Sequence, residues 1–329
     1  MKFLETEIIP LGMGCWPIGG AMYTGDQPLG YTNVDDDESI RTIHAALAAG
    51  ITLFDTAPAY GAGHAERLLS RALKGRPEAL IATKIGTGID EKSKQLTEDE
   101  VEAASVLPAI DQSLSRLGRD RIDVLLLHLN SLPVSKAEAI FDEVEKARLA
   151  GKVQSYGWST DFSRSAAAFA DRPAFIAVEH AMNVLLDAPK IRDVVRKKNL
   201  FALIRSPLAM GLLGGKYGAG DIMREDDIRA TSNPRTDYFA NGRANPAFLA
   251  KLDAVRELLT TDGRSLVQGA LGWLWAKGDM NIPIPGARTV EQIKGLAGAI
   301  SFGALPDDVM AQIETLIEQE PDDTPDRAR

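Results

Sequence analysis

This sequence has little cysteine, no excess of positive charge and no long apolar run. Cys15 is the one cysteine among 329 residues, so no disulfide can form within the chain and a reducing compartment is expected. The net charge of −9, from 37 basic and 46 acidic residues, argues against nonspecific nucleic-acid binding. No window approaches the roughly 18 apolar residues of a membrane-spanning helix, and the N-terminus lacks a signal-peptide run. We therefore expect a cytoplasmic protein that binds neither nucleic acid nor membrane.

Several common ligand motifs are also absent. Pro17 stands where a Rossmann GxGxxG fingerprint that starts at Gly12 needs its third glycine. Lys216, although preceded by glycine, lacks the earlier glycine and the following Ser or Thr of a phosphate-binding P-loop. No metal site is expected, because no metal-ligand spacing joins the four histidines, His44, His64, His128 and His180.

The composition is that of an ordinary globular protein, with 45% hydrophobic and 25% charged residues. A chain of this length can bury a sizeable core. No linker, composition break or low-complexity segment divides it, so we expect a single domain over residues 1–329. The polar residues at about 320–329 are expected to be a frayed tail.

Short apolar runs alternate with longer helical patterns along the chain. The runs lack polar alternation, as expected for parallel strands covered on both faces. Eight strands are predicted at Leu11–Ile18, Ile51–Phe54, Ala79–Thr83, Ile122–Leu127, Val153–Gly157, Phe175–Val178, Leu200–Ile204 and Ile282–Ile284. Helices are predicted at Glu38–Ala49, Ala65–Leu73, Thr97–Leu117, Ser135–Leu149, Arg164–Ala170, Ala188–Lys197, Pro246–Leu259, Leu266–Lys277, Val290–Ala297 and Pro306–Glu318.

Capping signals mark where two of these helices begin and end. The acidic run Asp35–Asp37 suits the N-terminus of the first helix, and Gly50 suits its C-terminal cap. Thr97 and Glu100 form a predicted capping box for the third helix, which Gly118 ends.

Eight strands that are each followed by a helix predict a (β/α)8 TIM barrel. An open doubly wound sheet uses the same alternation and is the alternative. Two connections are too long for structural work alone, Gly20–Asp36 after the first strand and Ser206–Asn245 after the seventh. In a barrel both lie on the C-terminal face, where active sites are found.

Four polar side chains lie at or just beyond strand ends. Asp55, Lys84 and His128 each follow an apolar run, and Tyr60 lies in the loop after Asp55. A free tyrosine has a pKa of about 10, which a neighbouring ammonium lowers. A carboxylate keeps that ammonium charged, and a histidine can share the phenol proton or hold a substrate oxygen. The set predicts a tuned proton donor for a carbonyl; the alternative is a structural ion pair of Asp55 and Lys84 under a packed tyrosine.

Six blocks of the sequence resemble the signatures of the aldo-keto reductases and together span most of the chain. They are Phe54–Leu73, Ala82–Gly86, Ile122–His128, Gly151–Ser159, Ser206–Tyr217 and Ile282–Ile293. The resemblance implies a (β/α)8 barrel that uses NADPH without a metal. By motif match it also implies a catalytic tetrad of Asp55, Tyr60, Lys84 and His128.

The same resemblance implies where NADPH binds. Arg288 lies at the start of a helix whose free N–H groups suit a phosphate, and it matches the residue that meets the 2′-phosphate, with Gln292 near the adenine. Ser206–Lys216 resembles the loop that folds over the pyrophosphate, and Ser159 matches the residue that holds the nicotinamide carboxamide. The full predicted cofactor-binding set is Gly14, Trp16, Asp55, Ser159, Thr160, Glu179, Arg205, Ser206, Pro207, Leu208, Gly211, Lys216, Gly286, Arg288 and Gln292.

The sequence departs from the common family pattern in ways that suggest a bacterial-type branch rather than the mammalian aldose reductases. Glu179 stands where a glutamine usually contacts the carboxamide, and Arg205 stands where many members have a tyrosine that stacks on the nicotinamide. An arginine plane also stacks on aromatic rings. The remaining departures are Thr160 and Leu296, each in the place of an asparagine, and Asn130 and Ser131, in the places of a proline and an aspartate.

Aromatic residues dominate the predicted substrate pocket, which suits a flat, hydrophobic or sugar-ring substrate. The predicted pocket residues are Trp16, Tyr23, Tyr31, Tyr60, His128 and Trp158, with Pro28, Tyr238 and Phe239 as further candidates. Aldehydes, ketones, keto-sugars, pyridoxal and steroid-like ketones all remain open as substrates, and so does the oligomeric state.

Three functions are compatible with these observations. The first is an NADPH-dependent reductase of an aldehyde or ketone, with Tyr60 as general acid. The second is an NAD(P)+-dependent sugar or alcohol dehydrogenase on the same fold. The third is a cofactor-binding regulatory subunit similar to the potassium-channel β subunits of this family, although nothing in the sequence resembles a docking extension.

Overall fold

Eight parallel strands form a barrel whose first and last strands meet. The computed structural model describes residues 1–224, 227–230 and 238–318. The barrel strands, numbered β1 to β8, are Gly12–Gly14, Leu53–Asp55, Leu80–Ile85, Ile122–Leu127, Val153–Ser159, Phe175–Ala181, Phe201–Arg205 and Asn281–Pro283. Each pairs in parallel with the next one along the chain. The N–H of Gly14 donates to the carbonyl of Pro285 over 3.0 Å and closes the ring. The predicted (β/α)8 barrel is confirmed, and the open doubly wound sheet is wrong.

Helices surround the barrel on its outer face. In the described part of the chain, helices α1 to α10 are Asp36–Ala48, His64–Ala72, Ala103–Leu117, Val134–Leu149, Ser163–Ala168, Pro189–Lys198, Pro246–Leu259, Leu266–Ala276, Val290–Ala297 and Asp307–Leu316. Helix α1 begins as the sequence indicates, with Asp35 as its N-terminal cap, which accepts from the N–H of Glu38 over 2.9 Å. Gly50 and Gly118 follow α1 and α3 with φ of 85° and 61°, a backbone region that favours glycine. No helix within the described ranges is long and apolar enough to cross a membrane.

The apolar core has two layers, because successive residues of a strand face opposite sides. One layer lies between strands and helices and contains Phe54 and Leu125. The other fills the barrel interior and contains Leu53 and Leu126. Phe3, in an N-terminal hairpin of Lys2–Phe3 and Thr6–Glu7, belongs to the interior layer and has no exposed surface. Apolar side chains therefore fill the barrel interior at the N-terminal ends of the strands, and the polar interior side chains lie at the carboxyl ends.

The predicted start of the third helix at Thr97 and Glu100 is wrong. Gln95–Asp99 is a strand that pairs antiparallel with Thr87–Asp90. With a second hairpin, Tyr23–Thr24 and Gln27–Pro28, these strands form a four-stranded sheet beside the barrel. Leu96 packs there on an apolar cluster of Met22, Ala57 and Ala59. This tertiary contact and the strand pairing outweigh the local capping signal, and α3 begins only at Ala103.

Two further elements differ from the prediction. The first strand ends at Gly14, and a 3₁₀ turn at Trp16–Ile18 replaces the expected continuation to Ile18. Pro17 has no N–H to donate to a neighbouring strand, which explains the stop. The long connection after β7 contains a 3₁₀ segment at Ala209–Gly214 and a hairpin near Ala244. Part of that connection (225–226 and 231–237) and the predicted frayed tail lie outside the described residues.

Candidate active site

The carboxyl ends of the barrel strands open into a cavity of about 1350 Å³. Most small-molecule sites occupy roughly 300–1,000 Å³. Both predicted long connections line the cavity, for example through Tyr31 and Met210. The hairpin of Thr87–Asp99, which the sequence did not lead us to expect, adds Leu96 and Asp99. The cavity has room for a long ligand and a small one together.

The polar residues of this cavity continue the interior rows of the barrel. On β2 the interior position after Leu53 is Asp55, and on β4 the position after Leu126 is His128. The same step of two residues leads to Lys84, Glu179 and Arg205 on β3, β6 and β7. Because strands in a barrel converge at their carboxyl ends, these five side chains share one small region.

Lys84 is at the centre of the predicted tetrad. Its Nζ donates to Oδ1 of Asp55 over 2.5 Å, to the carbonyl of Thr56 over 3.1 Å and to the phenol oxygen of Tyr60 over 3.4 Å. An ammonium has three donors and no acceptor. The Tyr60 oxygen must therefore accept from Lys84, which leaves the phenol proton for another acceptor. Asp55 and Tyr60 line the cavity, while Lys84 lies fully buried behind them.

His128 lies beside Tyr60 in the same cavity wall. The two rings meet edge to face, with centroids 6.3 Å apart and planes at 87°. The backbone N–H of His128 donates to the carbonyl of Ile85 over 2.7 Å, which holds the residue at the end of β4. The structure thus brings together the four residues that the sequence groups as a tetrad.

The electrostatics of Tyr60 differ from the expectation of a lowered pKa. Burial raises the pKa of the Tyr60 phenol above its ordinary value, and the ammonium of Lys84 only partly opposes this rise. The carboxylates of Asp55 and Glu179 add to it. The phenol is therefore a neutral donor at every physiological pH. An alkoxide, comparable in basicity to hydroxide (water pKa about 15.7), is still able to take its proton.

Glu179 is a second carboxylate partner of Lys84 that the sequence did not reveal. Its Oε2 lies 3.0 Å from Nζ of Lys84, and its Oε1 accepts from the Ser159 hydroxyl over 3.1 Å. Burial, reinforced by Glu179, raises the pKa of Asp55 well above the usual range. The two carboxylates together hold the pKa of Lys84 above its ordinary value although burial acts the other way. The lysine thus stays charged between two acids.

Arg205 is held by an acidic neighbour that the sequence analysis did not identify. Its guanidinium forms an ion pair with Asp161, and that carboxylate also accepts from Asn130 Nδ2 over 3.1 Å. Arg205 and Asn130 line the cavity with Asp161. Thr160 does not line it, because this fully buried residue donates its hydroxyl to the carbonyl of Asn130 over 2.8 Å.

The far part of the cavity is lined by cations rather than by free backbone donors. Arg288 donates its N–H to Gln292 Oε1 over 2.8 Å, and Val290 donates to Glu38 Oε1 over 3.1 Å. These N–H groups at the start of α9 are thus already bonded, contrary to the predicted free donors. What remains for an anion is the side-chain charge of Arg288, stacked 5.4 Å from the ring of Tyr31, and that of Lys216. Arg229, paired with its neighbour Asp227, adds a cation that the sequence analysis missed.

Most of the predicted cofactor set lines this one cavity. The lining members are Gly14, Trp16, Asp55, Ser159, Glu179, Arg205, Ser206, Pro207, Leu208, Gly211, Lys216, Gly286, Arg288 and Gln292. Thr160 is the member that lies behind the wall.

The predicted substrate pocket is partly wrong. Trp16, Tyr31, Tyr60 and His128 line the cavity, as does Tyr238. Trp158 faces the helices instead. It is fully buried, donates its Nε1 to the carbonyl of Leu129 over 3.0 Å and packs on Phe141 and Phe169. Its neighbour Ser159 takes the cavity side, as strand alternation requires.

Tyr23 also lies off the cavity, since the flanking residues Met22 and Thr24 line it instead. Neither Pro28 nor Phe239 lines it. The aromatic wall therefore differs from the prediction in its members: Trp16 and Tyr31, whose ring centroids are 5.4 Å apart, lie in it with Tyr60, Tyr217, Tyr238 and Phe248.

Known proteins of one family are similar to this chain in sequence and in fold. The sequence model described as Aldo/keto reductase family matches residues 10–318. Aldo-keto reductase YhdN of Bacillus subtilis is 29% identical over 328 residues, which cover 95% of this chain and 91% of that protein. Aldo-keto reductase yakc of Schizosaccharomyces pombe, whose name carries the label NADP(+), is 29% identical over 311 residues, covering 90% and 85%. The structure of glycerol dehydrogenase AKR11B4 from Gluconobacter oxydans superposes with a TM-score of 0.78 at 29% identity, covering 98% of this chain and 96% of that one.

Proposed function

Since the chain belongs to the aldo/keto reductase family, we propose that it is an NADPH-dependent oxidoreductase that reduces an aldehyde or ketone to an alcohol. The observation that carries this proposal is the contact of Lys84 with both Asp55 and Tyr60, at 2.5 and 3.4 Å, in a cavity wall that also contains His128. A buried lysine that donates to a phenol facing a cavity is an arrangement for proton transfer.

The residues present fit a nicotinamide dinucleotide. The cavity has room for a dinucleotide next to a small substrate. Arg288 and Lys216 place positive charge in its far part, where they would hold phosphates. Ser159, Glu179 and Arg205 would hold the nicotinamide end near Tyr60. The relative from Schizosaccharomyces pombe named with NADP(+) supports the phosphorylated cofactor.

The cofactor, when bound, supplies the hydride for the carbonyl carbon. Tyr60 then gives its proton to the carbonyl oxygen as negative charge develops there. Lys84 keeps the Tyr60 oxygen in place and stabilises the phenolate that remains. His128 orients the carbonyl oxygen toward Tyr60, and positioning of this kind lowers the barrier by avoiding a search for the reactive geometry.

The reverse reaction, oxidation of an alcohol or sugar with NAD(P)+, is a second candidate. It is favoured by the likeness to the glycerol dehydrogenase of Gluconobacter oxydans over nearly the whole chain. The same residues serve this direction: the Tyr60 oxygen accepts the proton of the alcohol after it has released its own proton to solvent.

A substrate panel tests both directions. Aldehydes, ketones, keto-sugars and pyridoxal are offered with NADPH or NADH, and alcohols including glycerol with NADP+ or NAD+, while nicotinamide absorbance is followed. We expect turnover with at least one carbonyl class and a higher kcat/KM with NADPH than with NADH. Absence of turnover throughout the panel, together with absence of dinucleotide binding by tryptophan fluorescence, would overturn the proposal.

A further inference from the structure

Glu179 is a buried carboxylate that the proton transfer at Tyr60 does not require. We infer that Glu179 is the counter-charge for the oxidised nicotinamide ring, and that it makes this chain favour the oxidised dinucleotide over the reduced one. This role rests on the proposed nicotinamide cofactor and adds a preference for one redox state that the proposed function does not contain.

The position of Glu179 follows from its contacts. Its Oε2 touches the same Lys84 ammonium that touches the Tyr60 oxygen, at 3.0 and 3.4 Å. Glu179 and Tyr60 both line the cavity. A carbonyl that accepts a hydride must reach the ring and the Tyr60 proton at once. The ring therefore has to lie in the region that Glu179 faces.

The charges around Glu179 do not balance. Lys84 on β3 and Arg205 on β7 are the cations of this cluster, and they pair with three carboxylates, those of Asp55, Glu179 and Asp161. The titratable groups near this cluster include Tyr60, His128 and Tyr238 in the cavity wall, Cys15 beside Asp55, and His180 and Asp187 near Arg205. Burial raises the pKa of the Tyr60 phenol and of the Cys15 thiol and lowers that of His180 to about 4, so all three are neutral near pH 7, and Asp187 is paired with Arg192 and Lys277. With every carboxylate ionised, the cluster carries one surplus negative charge.

A surplus charge in a buried site is costly unless a partner neutralises it. Asp55 shares the Lys84 ammonium with Glu179, and burial, reinforced by the Glu179 charge, raises the pKa of Asp55, which agrees with a proton on Asp55 in the free protein. The oxidised ring is a cation and the reduced ring is neutral. The oxidised ring can therefore replace that proton as the neutralising charge, and the proton leaves for solvent; the reduced ring cannot.

A pair of variants tests the charge itself. Glu179→Gln keeps the size and the hydrogen-bonding shape and removes the charge. Glu291→Gln removes the same charge from another part of the cavity wall and serves as the matched control. Dissociation constants for NADP+ and NADPH, with NAD+ and NADH in parallel, are measured by tryptophan fluorescence or calorimetry without any substrate.

We expect Glu179→Gln to weaken binding of the oxidised form by about tenfold or more relative to the reduced form. Glu291→Gln is expected to leave the ratio of the two constants unchanged. The inference is overturned if the ratio of the two dissociation constants in Glu179→Gln stays within about threefold of that in the unmodified protein, because the expected change is about tenfold. The proposed function would still stand.

Calorimetry of the unmodified protein gives a second test that needs no variant. Binding is measured in buffers of different ionisation enthalpy at a series of pH values above the ordinary range of a carboxyl pKa. Protons that the 2′-phosphate releases or takes up on binding are common to NADP+ and NADPH, so they cancel when the two forms are compared. We expect the oxidised form to release up to one proton more than the reduced form, and no difference at any pH overturns the inference. If neither form binds, the proposed function itself fails.

Discussion

The Nζ atom of Lys84 lies 3.4 Å from the phenol oxygen of Tyr60 and directs its other donors at Asp55 and the Thr56 carbonyl. Because the lysine cannot accept, the phenol proton of Tyr60 is left for an acceptor other than Lys84. Removal of that single hydroxyl therefore separates proton transfer from binding.

Tyr60→Phe should lower kcat by about a hundredfold to ten-thousandfold, the usual contribution of a positioned general acid. Cofactor affinity should stay nearly unchanged, since the ring remains in the wall. Steady-state rates and fluorescence titration measure the two effects. Tyr156→Phe, at a buried tyrosine that packs on Phe141 away from the cavity, is the control. Normal turnover by Tyr60→Phe would contradict the assignment of Tyr60 as the acid.

Lys84→Met should lower the free energy of unfolding by about 3–5 kcal/mol near neutral pH, because it leaves the buried acids Asp55 and Glu179 without their cation. The loss should be smaller by about 1 kcal/mol or more when Glu179→Gln is already present, since only one acid then remains next to the substituted position. Denaturant unfolding of the two single variants and the double variant provides the cycle. Strict additivity would show that Lys84 and Glu179 do not interact.

Arg288→Ala should weaken NADPH binding by about ten- to a hundredfold, the effect expected for loss of a hydrogen bond to a charged phosphate. NADH lacks that phosphate, and its affinity should change little. Titrations of both cofactors at fixed salt measure the selectivity. Arg196→Ala is the matched control, since that arginine is exposed on α6 and pairs with Asp193. Equal losses for NADPH and NADH would assign Arg288 to another part of the cofactor.

His180 should make the protein less stable in acid. Burial lowers the pKa of His180 to about 4 from 6.5, so between those values the unfolded chain binds a proton that the folded chain does not. Stability from this residue is thus complete above about pH 6.5 and is lost as pH falls toward about 4, by up to about 3 kcal/mol.

His180→Leu should flatten that part of the pH profile, measured as the free energy of unfolding by denaturant at a series of pH values. In the described part of the chain Nε2 of His180 has no hydrogen-bond partner, so at neutral pH the substitution removes only the contact of Nδ1 with the Ala181 carbonyl, at 3.3 Å. An unchanged acid limb in the variant would mean that another group is responsible.

Much of the site could be predicted because strand ends in a barrel meet at one place. Asp55, Lys84 and His128 stand at the ends of apolar runs in the sequence, and the fold brings them together. The same reasoning extends to Glu179, which follows Ala177 by the interior step of two residues. Its contact with Lys84 was nevertheless not predicted, because sequence position does not reveal which long side chains share a cation.

Other features depend on contacts between distant segments. The local signal at Thr97 and Glu100 was typical of a helix cap, but the strand pairing with Thr87–Asp90 decides the structure there. The prediction of Trp158 as a pocket residue is wrong because Ser159 takes the cavity side, and adjacent strand residues face opposite sides. The sequence does not show that the N–H of Val290, close to Arg288, is bonded, because its acceptor Glu38 lies on α1, far away in the chain.

Barrel closure has a consequence for any ligand in the cavity. Gly14 and Pro285, which join the first and last strands by one hydrogen bond, both line the cavity. A dinucleotide that contacts both Gly14 and Pro285 would hold the first and last barrel strands together. Ligand binding and folding are then thermodynamically linked, and free ligand at concentration [L] raises the free energy of unfolding by RT ln(1 + [L]/Kd). Hydrogen exchange of the Gly14 amide measures this effect locally, since the exchange should slow when ligand holds the two strands together.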